Sequence, residues 1–368
     1  MIRIESVIDK QGLKAFLAVA PPLYRDVPAW VQPLDLQLRS RLDQGKDPFW
    51  RHAERELLLA HDSGGIVGRL LVMHDRLFTE SSGERVATFG LFEASPDPGV
   101  ATALFAAAEM WAKKRGLVGL FGPFFLSIHD EVGLLVEGFD RSPCILMPYG
   151  RDYYPGLLEQ SGFRPVREFR ADAWDIQGQA VPDPGVLRPG IVIRNFDKQR
   201  INEEVRRFRF VYNDAFAHNW GFVPMTAAEA ESSVGDFLRY ADLALPKVAE
   251  VRGEPAGFIL ALPDLNEVLR RCGGKLWPWG LFRLLWGRRS IRDLRVMTLA
   301  VRRPFRPLGL PYHLISRLWH DARARGYRMA EFGYIDTENR AMRRLADRLD
   351  ARTVKRYRLY RKLFQARR

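Results

Sequence analysis

The stretch RRPFRPLGLPYHL, Arg302 to Leu314, sets Arg306, Gly309 and Pro311 between an apolar run and a segment patterned like a helix. A glycine-bearing turn that enters a helix points main-chain N–H groups and the positive helix end at one place, which suits an anion. The same residues also make an ordinary turn. Pro307 and Pro311 have no N–H to give, and Pro311 fits the first helical position. The donors left are the main-chain groups of Leu308, Gly309, Leu310 and Tyr312. A second group is His129-Asp130-Glu131, three consecutive titratable residues in an apolar region beside Gly133 and Leu134. Burying them together is expensive unless they are paired. They read either as a proton-transfer group or as a buried hydrogen-bond network between the halves.

The elements that must position these groups repeat. The first half opens with a strand (2–8), a helix through Leu13, Phe16 and Leu17, and a more polar helical segment around Leu36 to Asp43. Two strands follow, joined by the tight turn Ser63-Gly64-Gly65, then the strand VATFGLFEA and the loop Ser95-Pro96-Asp97-Pro98-Gly99. An alanine-rich helix (100–115) ends at Gly116, LVGLFGPF is a strand, and YYPGLLEQSGFRP is a helix ended by Gly162 before a last strand.

The second half runs in the same order: IVIRNFD, then NEEVRRFRFVYNDAF, then TAAEAESSVGDFLRYA with Thr226 as N-cap and Glu229 three residues on. A hairpin turns over Arg252-Gly253-Glu254, LRVMTLAV is a strand, and YHLISRLWHDARARG is a helix ended by Gly326. MAEFGYI, NRAMRRLADRL and VKRYRLYRKLF complete the copy. Two copies of one β-α-α-β-β-β-α-β-α-β plan predict an α/β fold, a mixed sheet flanked by helices in each of two tandem domains. The Pro- and Gly-rich stretch 177–190 reads as a linker between domains 1–176 and 191–368. An insert at 265–293 has no partner in the first half. In it Trp277, Trp279, Phe282, Leu284, Leu285 and Trp286 alternate with Arg283, Arg288 and Arg289. Such a mixture suits a membrane interface, or a loop folded back over the core.

At 368 residues with 47% hydrophobic and 27% charged residues, the composition is that of a globular protein of about two domains. Cys144 and Cys272 match no metal or redox spacing and read as cytosolic thiols. Neither a signal peptide nor a transmembrane helix is expected. The net charge is +13, and Asn339 to Arg368 holds twelve Lys/Arg against two Asp. That end favours a phosphate-bearing partner, or is simply a solvated basic surface. No metal spacing, Ser-His-Asp order, P-loop or dinucleotide fingerprint is present. No RNA-binding motif is present either, and nucleic acid is not an expected partner.

The element order, with VRRPFRPLGLP directly after a strand, resembles the GNAT acyltransferases, whose loop Arg/Gln-x-x-Gly-x-Gly/Ala falls here on Arg306, Gly309 and Pro311. In that family the loop holds the pyrophosphate of coenzyme A. The matching loop of the first half, EASPDPGVA, carries Glu93 and Asp97 and no arginine, so the first copy reads as degenerate and the second as catalytic. FGLFEASPDP, HDEVGLLVEGFDRSPCILMPYG, YNDAFAHNWGFVPMT and KRYRLYRKLF are similar to the tandem GNAT proteins of Gram-negative bacteria that include bacterial ceramide synthases. The resemblance implies acyl transfer from fatty acyl-CoA to the amine of a sphingoid long-chain base, without a metal. It places the enzyme in the cytoplasm, peripheral to the inner membrane through 265–293 and the basic C-terminal segment.

Direct transfer to an amine needs a polarised carbonyl, a deprotonated ammonium and a protonated thiolate. Leu299, Ala300 and Val301 are expected to offer main-chain N–H groups to the cosubstrate. Asn339 stands either near it or as a helix N-cap. The tyrosine acid of many GNAT enzymes is replaced by Ala346 in the second half and Leu158 in the first. The base is sought at His218, in the acceptor-shaping loop with Asn219, Trp220 and Phe222, at Glu331, or in the His129-Asp130-Glu131 cluster. Two alternatives stand beside this reading: acetylation of a small polar amine or a protein amine, and a non-catalytic GNAT relative that binds a lipid or a partner.

Overall fold

The structure, a computed structural model, describes residues 1–181, 183–270, 287 and 290–365. Trp277, Trp279, Phe282, Arg283, Leu284, Leu285, Trp286, Arg288 and Arg289 of the insert lie outside the described residues, as does Cys272. Cys144 is buried.

The chain folds into two compact units, Met1–Phe169 with Lys355–Arg368, and Arg170–Val354. In the first, the strands Arg3–Ser6, Ala53–Asp62, Gly65–Asp75 and Ala87–Ala94 pair antiparallel in that order, and Gly119–Gly122 joins Ala87–Ala94 in parallel. The hairpin closes at Asp62↔Gly65. Alternation along these strands explains why both central runs are nearly all apolar. Leu58, Ala60, Leu70 and Val72 face a core with the helix Pro98–Lys113, whereas Leu57, Leu59, Leu71 and Met73 face one with Phe16, Leu17, Phe49 and Trp50. A strand buried on both faces loses the apolar/polar alternation of a half-exposed one. The helix begins at Pro98, earlier than the alanine pattern suggests, because Asp97 accepts from the Gly99 N–H and Pro98 fits the first turn.

In the second unit Ile191–Asn195, Lys247–Val251, Glu254–Pro263 and Asp293–Val301 pair antiparallel, and Met329–Asp336 joins Asp293–Val301 in parallel. The hairpin at Val251↔Glu254 turns through Arg252 (φ 51°) and Gly253 (φ 82°), the pair of positive φ values that a tight two-residue hairpin needs. The helix Ala227–Tyr240 starts with Thr226 and Glu229 in a reciprocal capping box. Trp174 stacks on Trp319 of the helix Leu310–Ala324, with ring centroids 3.5 Å apart.

The halves exchange their last strands relative to a simple split. Residues 355–363 of the strand Arg352–Leu363 belong to the first unit, where Tyr360–Leu363 pairs antiparallel with Gly122–Gly119. Residues 170–175 of Arg164–Asp175 belong to the second. Periodicity identifies a strand and its faces but not its neighbour, so this exchange is invisible in the pattern.

Gly90 marks a close approach in the first unit: a Cβ there would lie 1.8 Å from the Phe124 carbonyl oxygen. Gly90→Ala should therefore cost at least about 3 kcal/mol, the upper end for overpacking, seen as a lowered denaturation midpoint or insoluble protein.

Candidate active site

The second unit contains a place where two paired strands part. Asp293–Val301 and Met329–Asp336 are in parallel register from Asp293↔Met329 to Val296↔Phe332, and both then continue without a ladder between them. On its other side the same strand stays paired to Glu254–Pro263 as far as Val301↔Gly257, with a register shift between Leu260 and Ala261 that leaves Met297 as the extra residue. A bulge bends its strand and increases the twist. Leu299, Ala300 and Val301 thus keep one edge on Ile259, Phe258 and Gly257 and present the other to the opening.

The strand runs directly into the anion-loop sequence. Arg303–Leu308 forms a tight 3-10 turn, and Gly309 takes a left-handed conformation (φ 71°) to start Leu310–Ala324. Nothing lies within 4 Å of a Cβ placed at Gly309, so the glycine is there for its backbone angle. The helix has no side-chain cap, which leaves its positive end beside the opening. Arg306 is used differently from the sequence expectation. Its Nε and Nη2 donate to the main-chain carbonyls of Val301 (3.3 Å) and Ala215 (2.8 Å), clamping the turn onto the end of the helix Ile201–Phe216. Asp214 accepts from the Arg303 N–H, and Arg302 pairs with Glu254 at 2.6 Å. Two of the expected donors are engaged within the turn, Gly309 N–H to Arg306 O (3.4 Å) and Tyr312 N–H to Gly309 O (3.1 Å).

In the first unit the matching register, Ala87↔Leu120 and Thr88↔Phe121, also stops while the strand Ala87–Ala94 runs on. There the strand end is sealed by side chains. The Ala94 N–H donates to the Tyr154 hydroxyl (3.3 Å), and the Ala94 carbonyl accepts from the Tyr153 hydroxyl (2.9 Å). Asp97 caps the following helix with its own carboxylate. Glu93 is buried and accepts from Tyr24 (2.9 Å) and Tyr154 (2.7 Å), with Arg69 at 3.5 Å. One copy is open with a bare helix end; the other is filled and capped.

No family model matches the chain. It is 35% identical over 374 residues to Protein YghO of Escherichia coli (strain K12), covering 98% of this chain and 95% of that one. It is 33% identical over 363 residues to the bacterial ceramide synthase of Caulobacter vibrioides (strain NA1000 / CB15N), covering 95% and 94%. Among solved structures it resembles the tandem GNAT protein from the clavulanic acid biosynthesis pathway (TM-score 0.62, 12% identity, 100% of both chains). It also resembles a GCN5-related N-acetyltransferase from Sphaerobacter thermophilus (TM-score 0.55, 18% identity, 99% and 96%). The chain is a tandem GNAT-fold N-acyltransferase of the group that contains bacterial ceramide synthase.

Within this N-acyltransferase the second unit gathers most of the residues singled out in the sequence. Glu331 is buried on Met329–Asp336 opposite Arg295, one pair below the last rung before the strands part. Asn339 caps the helix Arg340–Arg348, its Oδ1 accepting from the Met342 N–H at 3.1 Å. His218 and Asn219 are exposed just past the helix that holds the turn, and the Phe222 ring lies 6.2 Å from that of Tyr212. Tyr312 meets Arg348 through its hydroxyl. Leu158 and Ala346, at the family's tyrosine positions, are both buried.

The His129-Asp130-Glu131 cluster lies in the first unit. Asp130 pairs with Arg41 and accepts from the Ser127 hydroxyl (3.0 Å), while Arg41 also pairs with Asp47 at 2.7 Å. The His129 N–H donates to Ser127 Oγ, and Glu131 pairs in a short strand with Phe125. These bonds lie within the first unit and the three residues are half-buried, whereas the sequence left open a proton-transfer group or a buried network between the halves. Among the described residues no group of three His, Cys, Asp or Glu is placed to hold a metal, and no helix is long and apolar enough to cross a membrane.

The sequence reading missed Asp293 and Glu267. The Glu267 carboxylate accepts from the main-chain N–H groups of Arg292 (3.0 Å) and Asp293 (2.8 Å), fixing the start of the strand. Burial, then the neighbouring Glu267 charge, raise Asp293 to about 6, with Glu331 pushing the same way. A carboxylate opening an otherwise apolar strand, next to a second one on MAEFGYI, was the available signal.

Because Asp293 holds its proton more tightly folded than unfolded, the stability it contributes is full below about pH 4 and is lost as pH rises through about 6. Asp293→Asn should raise stability at pH 7 to 8 by about 1 kcal/mol after discounting for partial exposure, roughly 2–4 °C in Tm. Below pH 4 it should give no gain, and thermal melts across this range check it.

Proposed function

We propose that the enzyme transfers a fatty acyl group from acyl-CoA to the amine of a sphingoid long-chain base, at the parted strands of the second unit. The observation that carries this is the contrast between the copies: an open strand edge beside an uncapped helix in one, and tyrosine hydroxyls with a capping carboxylate in the other. The kinship with a protein named bacterial ceramide synthase supports the choice of amine. The same reading puts the enzyme on the cytoplasmic face of the inner membrane as a peripheral protein. One acyl-CoA per chain follows from the sealed first copy.

In this mechanism the open edge of Leu299–Val301 donates hydrogen bonds along the cosubstrate and towards its thioester carbonyl. The positive end of Leu310–Ala324 at Gly309 faces the pyrophosphate. The acceptor arrives as an ammonium, and Glu331, just below the opening, takes its first proton. The amine lone pair then attacks the carbonyl carbon, the C–N bond forms and the C–S bond breaks. The thiolate leaves with the second proton shed by the nitrogen, a route that needs no tyrosine at Ala346 or Leu158.

Mass spectrometry of products from purified enzyme with a long-chain acyl-CoA and a sphingoid base, beside acetyl-CoA and spermidine, tests this. An N-acylated long-chain product is expected, and Gly309→Glu should abolish both it and coenzyme A binding. Product from the acetyl-CoA and spermidine pair alone would refute the lipid acceptor. Glu331→Gln should lower kcat by about 10²–10⁴-fold with coenzyme A binding kept, and an unchanged kcat would remove Glu331 from the mechanism.

A further inference from the structure

The basic C-terminal region divides in two once its partners are seen. On the last strand, Arg356 pairs with Glu137 (3.0 Å) and Glu168 (2.9 Å), Arg358 with Glu168 (3.1 Å), Arg361 with Glu84 (2.6 Å) and Lys362 with Glu109 (3.1 Å). Lys355 is buried. Those four cations find their carboxylates inside the first unit.

The helix Arg340–Arg348 differs. Arg340, Arg343, Arg344 and Arg348 are all exposed, and none pairs with a carboxylate among the described residues. The helix's single acid, Asp347, faces Arg170 at 3.7 Å. Arg343 reaches only the Thr337 carbonyl, and Arg348 only the Tyr312 hydroxyl and ring. Arg340, Arg344 and Arg348 recur every four residues, so they form one stripe, with Arg343 beside it and Leu345 and Ala346 on the buried face. Like charges four apart destabilise a helix, and Arg340 in the first turn opposes the helix dipole. The arrangement is unfavourable by itself and becomes favourable against an array of anions.

We propose that this arginine stripe is a docking surface for an anionic phospholipid bilayer. The stripe is an exposed ridge with no carboxylate among its contacts, which fits a spread of headgroup phosphates better than one small anion. The helix carries no aromatic side chain on which a base could stack. Its last arginine meets Tyr312, three residues after Gly309, so docking there holds the opening of the second unit next to the surface. The inference rests on the lipid-amine reading above, because such an acceptor resides in a bilayer.

Full-length enzyme is sedimented with phosphatidylglycerol-containing vesicles and with pure phosphatidylcholine vesicles, without substrates. Wild type should bind the anionic vesicles alone and lose binding with added salt. Each arginine near such a surface strengthens partitioning about fivefold. The variant R340Q/R343Q/R344Q should therefore bind roughly 100-fold more weakly, with a melting temperature no lower than that of wild type, and R340K/R343K/R344K should bind like wild type. Equal binding by wild type and the glutamine variant would overturn the proposal, and so would no binding by wild type. A loss of coenzyme A affinity in the glutamine variant with vesicle binding intact would reassign the stripe to the cosubstrate's phosphates. Binding to an RNA oligomer but not to vesicles would reassign it to nucleic acid. Vesicle binding without any long-chain product would retain the stripe and refute the acceptor.

Discussion

Buried main-chain N–H and C=O groups must find partners, and that requirement organises both units. Where Asp293–Val301 leaves Met329–Asp336 after Val296↔Phe332, one strand edge loses its ladder while the other stays fixed to Glu254–Pro263. The surrounding residues hold that edge in place. Arg306 ties the turn to Ala215, Asp214 takes the Arg303 N–H, and Arg302 lies over Phe210 with its charge on Glu254. In the first unit the same requirement is met by the hydroxyls of Tyr153 and Tyr154 at Ala94. The two copies give opposite answers to one problem.

Electrostatics follows the same division. Burial pushes the Glu93 carboxyl up, against the pull of Arg69, Tyr154 and Tyr24. A buried charge of this kind is tolerable only because three donors surround it. It fills the region behind the sealed strand end of the first unit. In the second unit burial raises Asp293, beside Glu267 and Glu331, and also Asp172, and the Arg295 guanidinium lies 5.6 Å from the Tyr334 ring centroid.

Element order was legible in the sequence because the apolar periods, the capping box at Thr226 and the glycines past helix ends are local signals. The glycine turn was legible for the same reason, and Gly309 has the backbone angle the motif requires. The partner of each residue was not legible. Arg306 belongs to the anion motif by spacing, yet its guanidinium is directed at two carbonyls, one of them 91 residues away in the chain. His129-Asp130-Glu131 drew notice as a dense polar cluster, but Arg41, which neutralises Asp130, comes from a distant helix that no local pattern connects to it. The strand exchange was hidden likewise, since residues 355–363 read as a strand whichever sheet they join.

That exchange has a consequence for biogenesis. Among the described residues Gly119–Gly122 finds its antiparallel neighbour in Tyr360–Leu363, so the first unit's sheet stays one strand short throughout synthesis of the second. Until residues 355–363 emerge from the ribosome, the nascent first unit carries an unpaired sheet edge, the kind of surface that recruits stray strands. The half made first is thus the half finished last.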